Sequence, residues 1–96
     1  MPTYARTESF ERDYRSLSKD QRASFRRALL HFIEDLRAGR FRKGLRVKGV
    51  KGTKGIYEMT WANDGRATFA YGPSPVQGET HIIWRRIGTH DILGEP

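Results

Sequence analysis

The 96-residue chain contains no cysteine, which excludes disulfide bonds and thiolate metal ligands. It also has no apolar run close to the roughly 18–20 residues that a transmembrane helix needs. Residues 1–10 are polar and lack the apolar stretch of a signal peptide. We therefore expect a single domain over residues 1–96, located in the cytoplasm and without a membrane partner.

Acidic residues are missing from one segment of the chain. Between Arg37 and Lys54 there are eight Lys or Arg residues and no Asp or Glu. Because the whole chain carries 18 Lys and Arg against 11 Asp and Glu, a formal charge of +7, this segment accounts for the entire positive excess. A localised positive field attracts polyanions, above all nucleic acid or an acidic protein. The alternative is a solvated basic loop with no partner. The segment lacks the apolar face of a membrane-surface helix.

The first half of the sequence predicts a short strand and two helices. Thr3 to Arg6 has the pattern of a strand, and Thr7 is placed to cap a first amphipathic helix. Ser18 opens the second helix with Gln21 three residues later, which is the capping-box pattern. Gly39 is typical of a helix C-terminus. The short link between the helices predicts an antiparallel hairpin. The second helix has one apolar stripe, formed by Phe25, Leu29, Phe32, Ile33 and Leu36.

After Gly44 the hydrophobic period changes from 3.6 to 2, which indicates strands. The fold class predicted is α+β, in which an N-terminal strand and a helical hairpin precede an antiparallel sheet of three to four strands. One sheet face packs on the helices, and the other is expected to be free for a ligand. The predicted strands are Leu45 to Val50, Ile56 to Ala62, Arg66 to Tyr71 and Thr80 to Arg86, with a hairpin turn at Asn63-Asp64-Gly65 and a tail from Ile87.

The free face is expected to carry charged and polar side chains from consecutive strands. Guanidinium groups that converge on one surface suit a phosphate, because their donors match its oxygens. An ordinary solvated face with cross-strand Glu–Arg pairs is the alternative. Strand register decides which of the last two arginines faces inward. The residues are Lys48, Glu58, Thr60 and Arg66, with Arg85 or Arg86 on the final strand.

His90 lies just past the last predicted strand, and histidine is the side chain best suited to move a proton near neutral pH. RNA self-cleavage needs the 2′-hydroxyl deprotonated, the pentavalent phosphate stabilised and the 5′-oxygen protonated. A hydrogen-bonded structural histidine is the alternative. The three histidines are far apart in sequence and form no zinc motif, so we expect metal-free chemistry and no cofactor.

Several stretches together resemble the RelE/ParE superfamily of bacterial toxins. These are FERDYRSLSKDQRASFRRALLHFIEDL, KGTKGIYEMTW, RATFAY and especially IIWRRIGTHDIL, whose Arg-x-Gly-Thr-His pattern resembles the C-terminus of mRNA-cleaving toxins. The resemblance implies that His90 is a general acid or base, that Arg66 is the phosphate-stabilising arginine, and that Arg86 is the basic catalytic residue before the histidine. An arginine often found after the strand-three aromatic is Glu58 here, which could serve as a base or pair with Arg66. The family's closing tyrosine is absent.

The resemblance implies a toxin that cuts mRNA on the ribosome and is neutralised by a cognate antitoxin. Its partners would then be an antitoxin, the ribosome and mRNA. A gyrase-inhibiting toxin of the same fold, without nuclease activity, is one alternative, and a non-catalytic RNA-binding module is another. The residues expected to bind RNA are Arg46, Lys48, Lys51, Lys54 and Arg85.

Overall fold

An N-terminal strand, two helices and a sheet follow one another along the chain, as the sequence predicts for an α+β fold. The structure is a computed structural model that describes residues 2–96. The helices are α1 (Glu8–Ser16) and α2 (Lys19–Ala38), with short 3-10 helices at Lys43–Leu45 and His90–Gly94. The strands are β1 (Thr3–Arg6), β2 (Lys48–Gly49), β3 (Tyr57–Thr60), β4 (Gly65–Gly72) and β5 (His81–Thr89), in the sheet order β1-β5-β4-β3-β2.

The helix ends form as the sequence predicts. The Thr7 side chain accepts a hydrogen bond from the backbone N–H of Phe10 at 3.1 Å. Ser18 and Gln21 make both bonds of the capping box, at 3.1 and 2.8 Å. Gly39 ends α2 in the left-handed conformation, with φ of 81°. Each device satisfies backbone groups that a helix end leaves open, so the local sequence alone sets these boundaries.

The sheet has five strands and is mixed, whereas the sequence predicts an antiparallel sheet of three to four strands. β1 joins it in parallel with β5, where Thr3 pairs with His81 and Arg6 with Trp84. β5 also continues to Thr89, because β4 pairs with it as far as Gly65. The prediction of a tail from Ile87 is therefore wrong for residues 87–89. Ladder hydrogen bonds between distant segments decide these boundaries.

The predicted strand Leu45 to Val50 is mostly wrong. Its start lies in the 3-10 helix Lys43–Leu45, and Arg46 has a left-handed backbone with φ of 49°. Only Lys48–Gly49 pairs with β3. Alternating apolar and basic residues also fit a turn that buries Leu45 and exposes its neighbours. The strand predicted to run to Ala62 ends at Thr60, since the hairpin turn begins there.

Aromatic side chains fill the space between the helices and the first face of the sheet. Phe32 of α2 lies between Phe69 and Trp84, with ring centroids 5.1 and 5.2 Å away. Phe25 meets Trp84 edge to face at 5.7 Å. No helix among the described residues is both long and apolar enough to cross a membrane. The other buried members of this core are Phe10, Ala28, Leu45, Met59, Trp61, Ala67, Ile82 and Ile87.

The second face of the sheet is partly covered, so the prediction of a free face is wrong there. Ile92 of the C-terminal 3-10 helix is buried, and its Cγ2 would lie 3.0 Å from a Cβ at Gly88. Farther along, the Thr68 hydroxyl donates to the Pro96 carbonyl at 3.0 Å. Residues 92–96 therefore lie across β4 and β5 on the face opposite the helices. No sequence pattern indicates that the C-terminal residues fold back over the sheet.

Candidate active site

Strand register brings most of the predicted site residues into rows on the second face. Lys48 pairs with Glu58, Glu58 with Thr68, and Thr68 with Arg86. In the adjacent row Thr60 pairs with Arg66, which pairs with Gly88. Directly paired residues share a face, so residues as far apart in sequence as Arg66 and Gly88 become neighbours.

A β-bulge decides how the two arginines of β5 are presented. Thr68 pairs with Arg86 while Phe69 pairs with Trp84, which leaves Arg85 as the extra residue of β5. Arg85 Nε donates to the Pro96 carbonyl at 3.2 Å, and Arg86 Nη1 donates to the Glu95 carbonyl at 3.0 Å. Both guanidiniums therefore lie on the side of the C-terminal segment, and both have a carbonyl acceptor there. Bulges re-aim side chains in this way.

Asp13 of α1 holds Arg86 from the edge of the sheet. Its Oδ2 accepts from Arg86 Nε at 2.6 Å and from the Ile87 backbone N–H at 3.2 Å. The carboxylate thus satisfies an edge N–H beyond the end of β1, and it raises the pKa of Arg86 by favouring the charged form. Sequence reasoning missed Asp13, because helical spacing shows only that it lies next to the apolar face.

Arg66 and Glu58 form the ion pair that the sequence allowed. Arg66 Nε lies 3.9 Å from Glu58 Oε1, and the two side chains are only 14% and 7% exposed. Arg66 Nη1 also donates to three carbonyls of the hairpin turn, at 3.0–3.4 Å. Since Nη2 has no partner among the described residues, one end of this anchored guanidinium remains available. The three carbonyls belong to Ala62, Asn63 and Gly65.

His90 lies at the same end of the face as Arg66. It follows Thr89, which pairs with Gly65, and it stands two residues beyond Gly88, the partner of Arg66. The side chain is exposed and makes no hydrogen bond or ion pair with any residue in 2–96. An imidazole without a protein partner can donate or accept a proton with a bound molecule.

The predicted RNA-binding lysines are exposed at the β2–β3 end of the sheet. Lys48 lies on β2, and Lys51 and Lys54 lie in the loop that follows. Arg46 lies apart from them, in a cleft between α2 and the β3–β4 hairpin. Within residues 2–96, no three His, Asp or Glu side chains come together in a way that could hold a metal ion.

The same fold occurs in several solved toxin structures. The chain matches YafQ of the E. coli DinJ–YafQ toxin–antitoxin complex with a TM-score of 0.70 and 13% identity, over 96% of each chain. It matches the Methanococcus jannaschii RelB–RelE antitoxin–toxin complex with a TM-score of 0.59 and 19% identity, over 97% of this chain and 95% of that one. A YoeB/ParE toxin from Agrobacterium tumefaciens gives 0.66 and 15%, over 92% and 98%. Neither family models nor curated protein sequences match the chain.

Proposed function

We propose that this chain, which has the fold of the RelE-superfamily toxins, is the toxin of a type II toxin–antitoxin system and acts as a ribosome-dependent mRNA endonuclease. The observation that carries this proposal is the Arg66–Glu58 ion pair on the second sheet face, at the end of the sheet where β5 runs into the exposed His90. An anchored cation and an unpartnered imidazole are two groups that metal-free RNA cleavage can use.

In the proposed reaction the 2′-oxygen of one nucleotide attacks the adjacent phosphorus, and the bond to the 5′-oxygen of the next nucleotide breaks. The 2′-hydroxyl loses a proton and the leaving 5′-oxygen gains one, so the products are a 2′,3′-cyclic phosphate and a 5′-hydroxyl. His90 is proposed to carry one of these protons. Arg66 is proposed to stabilise the negative charge that builds up on the phosphate oxygens.

The contacts of Glu58 and Arg86 suggest supporting roles for both. Glu58 is buried against Arg66, so we assign it to holding that guanidinium rather than to proton transfer. Arg86 is occupied by Asp13 and the Glu95 carbonyl, and Arg85 by the Pro96 carbonyl. A phosphate that reaches Arg85 or Arg86 must replace these carbonyls. In this proposal Lys48, Lys51 and Lys54 bind the RNA of the ribosome.

The decisive experiment is single-turnover mRNA cleavage on purified ribosomes. His90→Ala should lower the rate by about 10²–10⁴-fold, the usual worth of a positioned acid or base. His81→Gln is the matched control, because His81 lies at the opposite end of β5 and bonds Thr3 Oγ1 at 2.7 Å. Cleavage by His90→Ala at the wild-type rate would remove His90 from the proposed mechanism. No cleavage by the wild type would remove the endonuclease proposal and favour the gyrase-inhibiting alternative.

The proposed partner is an antitoxin whose acidic side chains cover the segment from Arg37 to Lys54, which holds the chain's excess charge. The structural matches include toxins solved with their antitoxins. Expression of the chain alone should stop growth, and co-expression with the product of the adjacent gene should restore it. Unimpaired growth during expression of the folded chain alone would contradict this proposal.

A further inference from the structure

A cleft of about 560 Å³ opens beside the candidate active site, between α2 and the end of the β3–β4 hairpin. α2 supplies one wall and residues 42–46 the floor, and the hairpin forms the opposite wall. Its volume falls within the roughly 300–1,000 Å³ that is typical of small-ligand sites. The basic side chains that line it are Arg27, His31, Arg42, Arg46 and Arg66.

Two of these arginines keep their charge unpaired. Arg46 is exposed and makes no hydrogen bond or ion pair with the described residues, and Arg27 bonds only the Ser24 hydroxyl at 3.1 Å. Arg42 is different, since Asp35 and Glu34 neutralise it at 2.8 and 3.2 Å. No carboxylate lines the cleft, so Arg27 and Arg46 give it a net positive field.

Two polar groups add hydrogen-bonding capacity to that field. Arg42 Nη1 donates to His31 Nδ1 at 2.6 Å, and this geometry leaves the histidine's Nε2–H as a donor. Trp61 lines the cleft, and its buried Nε1–H is without an acceptor among residues 2–96. Buried donors in folded proteins are almost always paired. Because Nε1 is itself buried, a phosphate or ribose oxygen bound in the cleft would satisfy the indole only after the Trp61 ring shifts toward it.

The backbone at Arg46 is strained in a way that serves the cleft. Arg46 is the only non-glycine residue with positive φ in residues 2–96, at 49°. Left-handed backbone disfavours side chains with a Cβ, and such strain concentrates at functional sites. The turn buries Leu45 in the core and leaves the guanidinium of the next residue in the cleft. A glycine would fit this backbone better, but it would remove the charge.

We propose that this cleft is a subsite for the phosphodiester backbone of single-stranded RNA next to the cleaved phosphate. RNA as the ligand rests on the proposed function, and it is favoured because Arg66 lies in both the cleft and the candidate active site. A strand whose scissile phosphate contacts Arg66 has a neighbouring nucleotide within reach of Arg27 and Arg46. An acidic peptide bound in the cleft would not need to contact the candidate active site through Arg66.

The test measures binding with a 2′-O-methyl RNA trinucleotide, which cannot be cleaved. Arg27→Gln/Arg46→Gln should weaken its affinity by about tenfold or more, and should lower the slope of log K against log salt by about 0.7 for each lost contact. Arg12→Gln is the control, because Arg12 is exposed on α1 and lines neither the cleft nor the second face. Equal affinity for the double variant and the wild type overturns the proposal.

Trp61 provides a direct reporter of occupancy. The chain has two tryptophans, so a ¹⁵N-correlated NMR spectrum shows two indole signals, and Trp61→Phe identifies one of them. The trinucleotide should shift the Trp61 signal in the wild type and in Arg12→Gln, but not in Arg27→Gln/Arg46→Gln. A signal that responds to a poly-glutamate peptide and not to the trinucleotide makes the cleft a protein-binding site and overturns the proposal.

Arg46→Gly separates binding from folding. The variant should unfold at higher urea concentration than the wild type, because glycine relieves the left-handed strain, and yet bind the trinucleotide more weakly. A more stable variant with unchanged affinity contradicts the subsite. Binding at the cleft without any mRNA cleavage leaves the subsite intact and removes the endonuclease, so the two proposals fail in different ways.

Discussion

At the scale of single residues, buried or partly buried carboxylates fix three arginines of this protein. Asp13, Asp35 and Glu58 each lie against one guanidinium, at 2.6, 2.8 and 3.9 Å. An arginine held in this way loses little conformational entropy when it meets a phosphate, since its fork is already oriented. Arg27 and Arg46, which line the cleft, have no such partner. Within the cleft, pairing therefore separates Arg42, which supports the fold, from the two arginines whose charge is left for a ligand.

Asp35 makes the stability of the protein depend on pH in the acid range. Hydrogen bonds from the Arg42 side chain and backbone lower its pKa from 3.8 to about 2. The charged form is favoured in the folded state, so the stabilisation is complete above pH 4–5 and disappears as the pH falls through about 2. Asp35→Asn should therefore lower the urea midpoint at pH 7, and its deficit should shrink between pH 4 and pH 2.

Urea unfolding of both proteins at pH 7, 4, 3 and 2 provides the measurement. Asp64→Asn serves as the control for the loss of one negative charge, because Asp64 is exposed on the hairpin turn and makes no contact. A deficit of Asp35→Asn that stays constant over the whole range would mean that the Asp35–Arg42 pair does not respond to protonation.

At the scale of elements, the β3–β4 hairpin connects the core to the candidate site. Trp61 packs edge to face on Phe25 of α2, with ring centroids 6.4 Å apart, while its other neighbour is Gly65. The turn carbonyls just outside this contact anchor Arg66. The position of the guanidinium is therefore set by how closely the indole packs on the turn.

Gly65→Ala tests this packing. A Cβ at Gly65 would lie 2.6 Å from two ring atoms of Trp61, and the buried indole cannot move without disturbing Phe25. We expect a loss of about 1–3 kcal/mol in the free energy of unfolding, typical of an overpacked core. Gly44→Ala, where a Cβ meets nothing within 4 Å, should change it by less than about 0.5 kcal/mol. Equal effects in urea titrations would show that the contact is not tight.

At the scale of the whole molecule, positive charge is distributed unevenly over the surface. The excess charge of the chain lies in the segment from Arg37 to Lys54, which passes from the end of α2 past the cleft to the β2–β3 loop. Part of it serves the fold, because Arg42 is paired with Asp35. Lys51 and Lys54 of the β2–β3 loop are exposed, at the edge of the sheet. Long-range attraction and site chemistry are thus carried by different residues.

Lys51→Ala/Lys54→Ala should change binding and leave chemistry intact. Loss of two phosphate contacts should weaken ribosome or RNA affinity and flatten its salt dependence, by about 0.7 in log–log slope per contact with single strands. The rate of single-turnover cleavage at saturating ribosome should stay near that of the wild type. Arg12→Ala/Lys19→Ala, which removes two exposed charges outside the segment, is the matched control. Loss of cleavage at saturation would place the two lysines in the active site.

Local features of the sequence determined much of this protein. The capping residues Thr7, Ser18 and Gly39 and the apolar stripe of α2 predicted both helices, because helix formation depends on residues only three or four positions apart. The Asn63-Asp64-Gly65 turn predicted the central hairpin, and the alternation in β3 and β4 identified the charged face on which Glu58 and Arg66 lie. The concentration of charge in one segment was also visible without a structure.

Tertiary structure alone decided how the site is assembled. The parallel pairing of β1 with β5 joins segments 78 residues apart, and the bulge at Arg85 follows from the pairing of β4 with β5. Asp13 reaches Arg86 across 73 residues, and residues 92–96 return over a face that the sequence left open. The cleft around Trp61 needs walls from three separate stretches. Hydrogen bonds and packing between two distant segments leave no periodic pattern in the sequence of either segment, so only the folded chain reveals them.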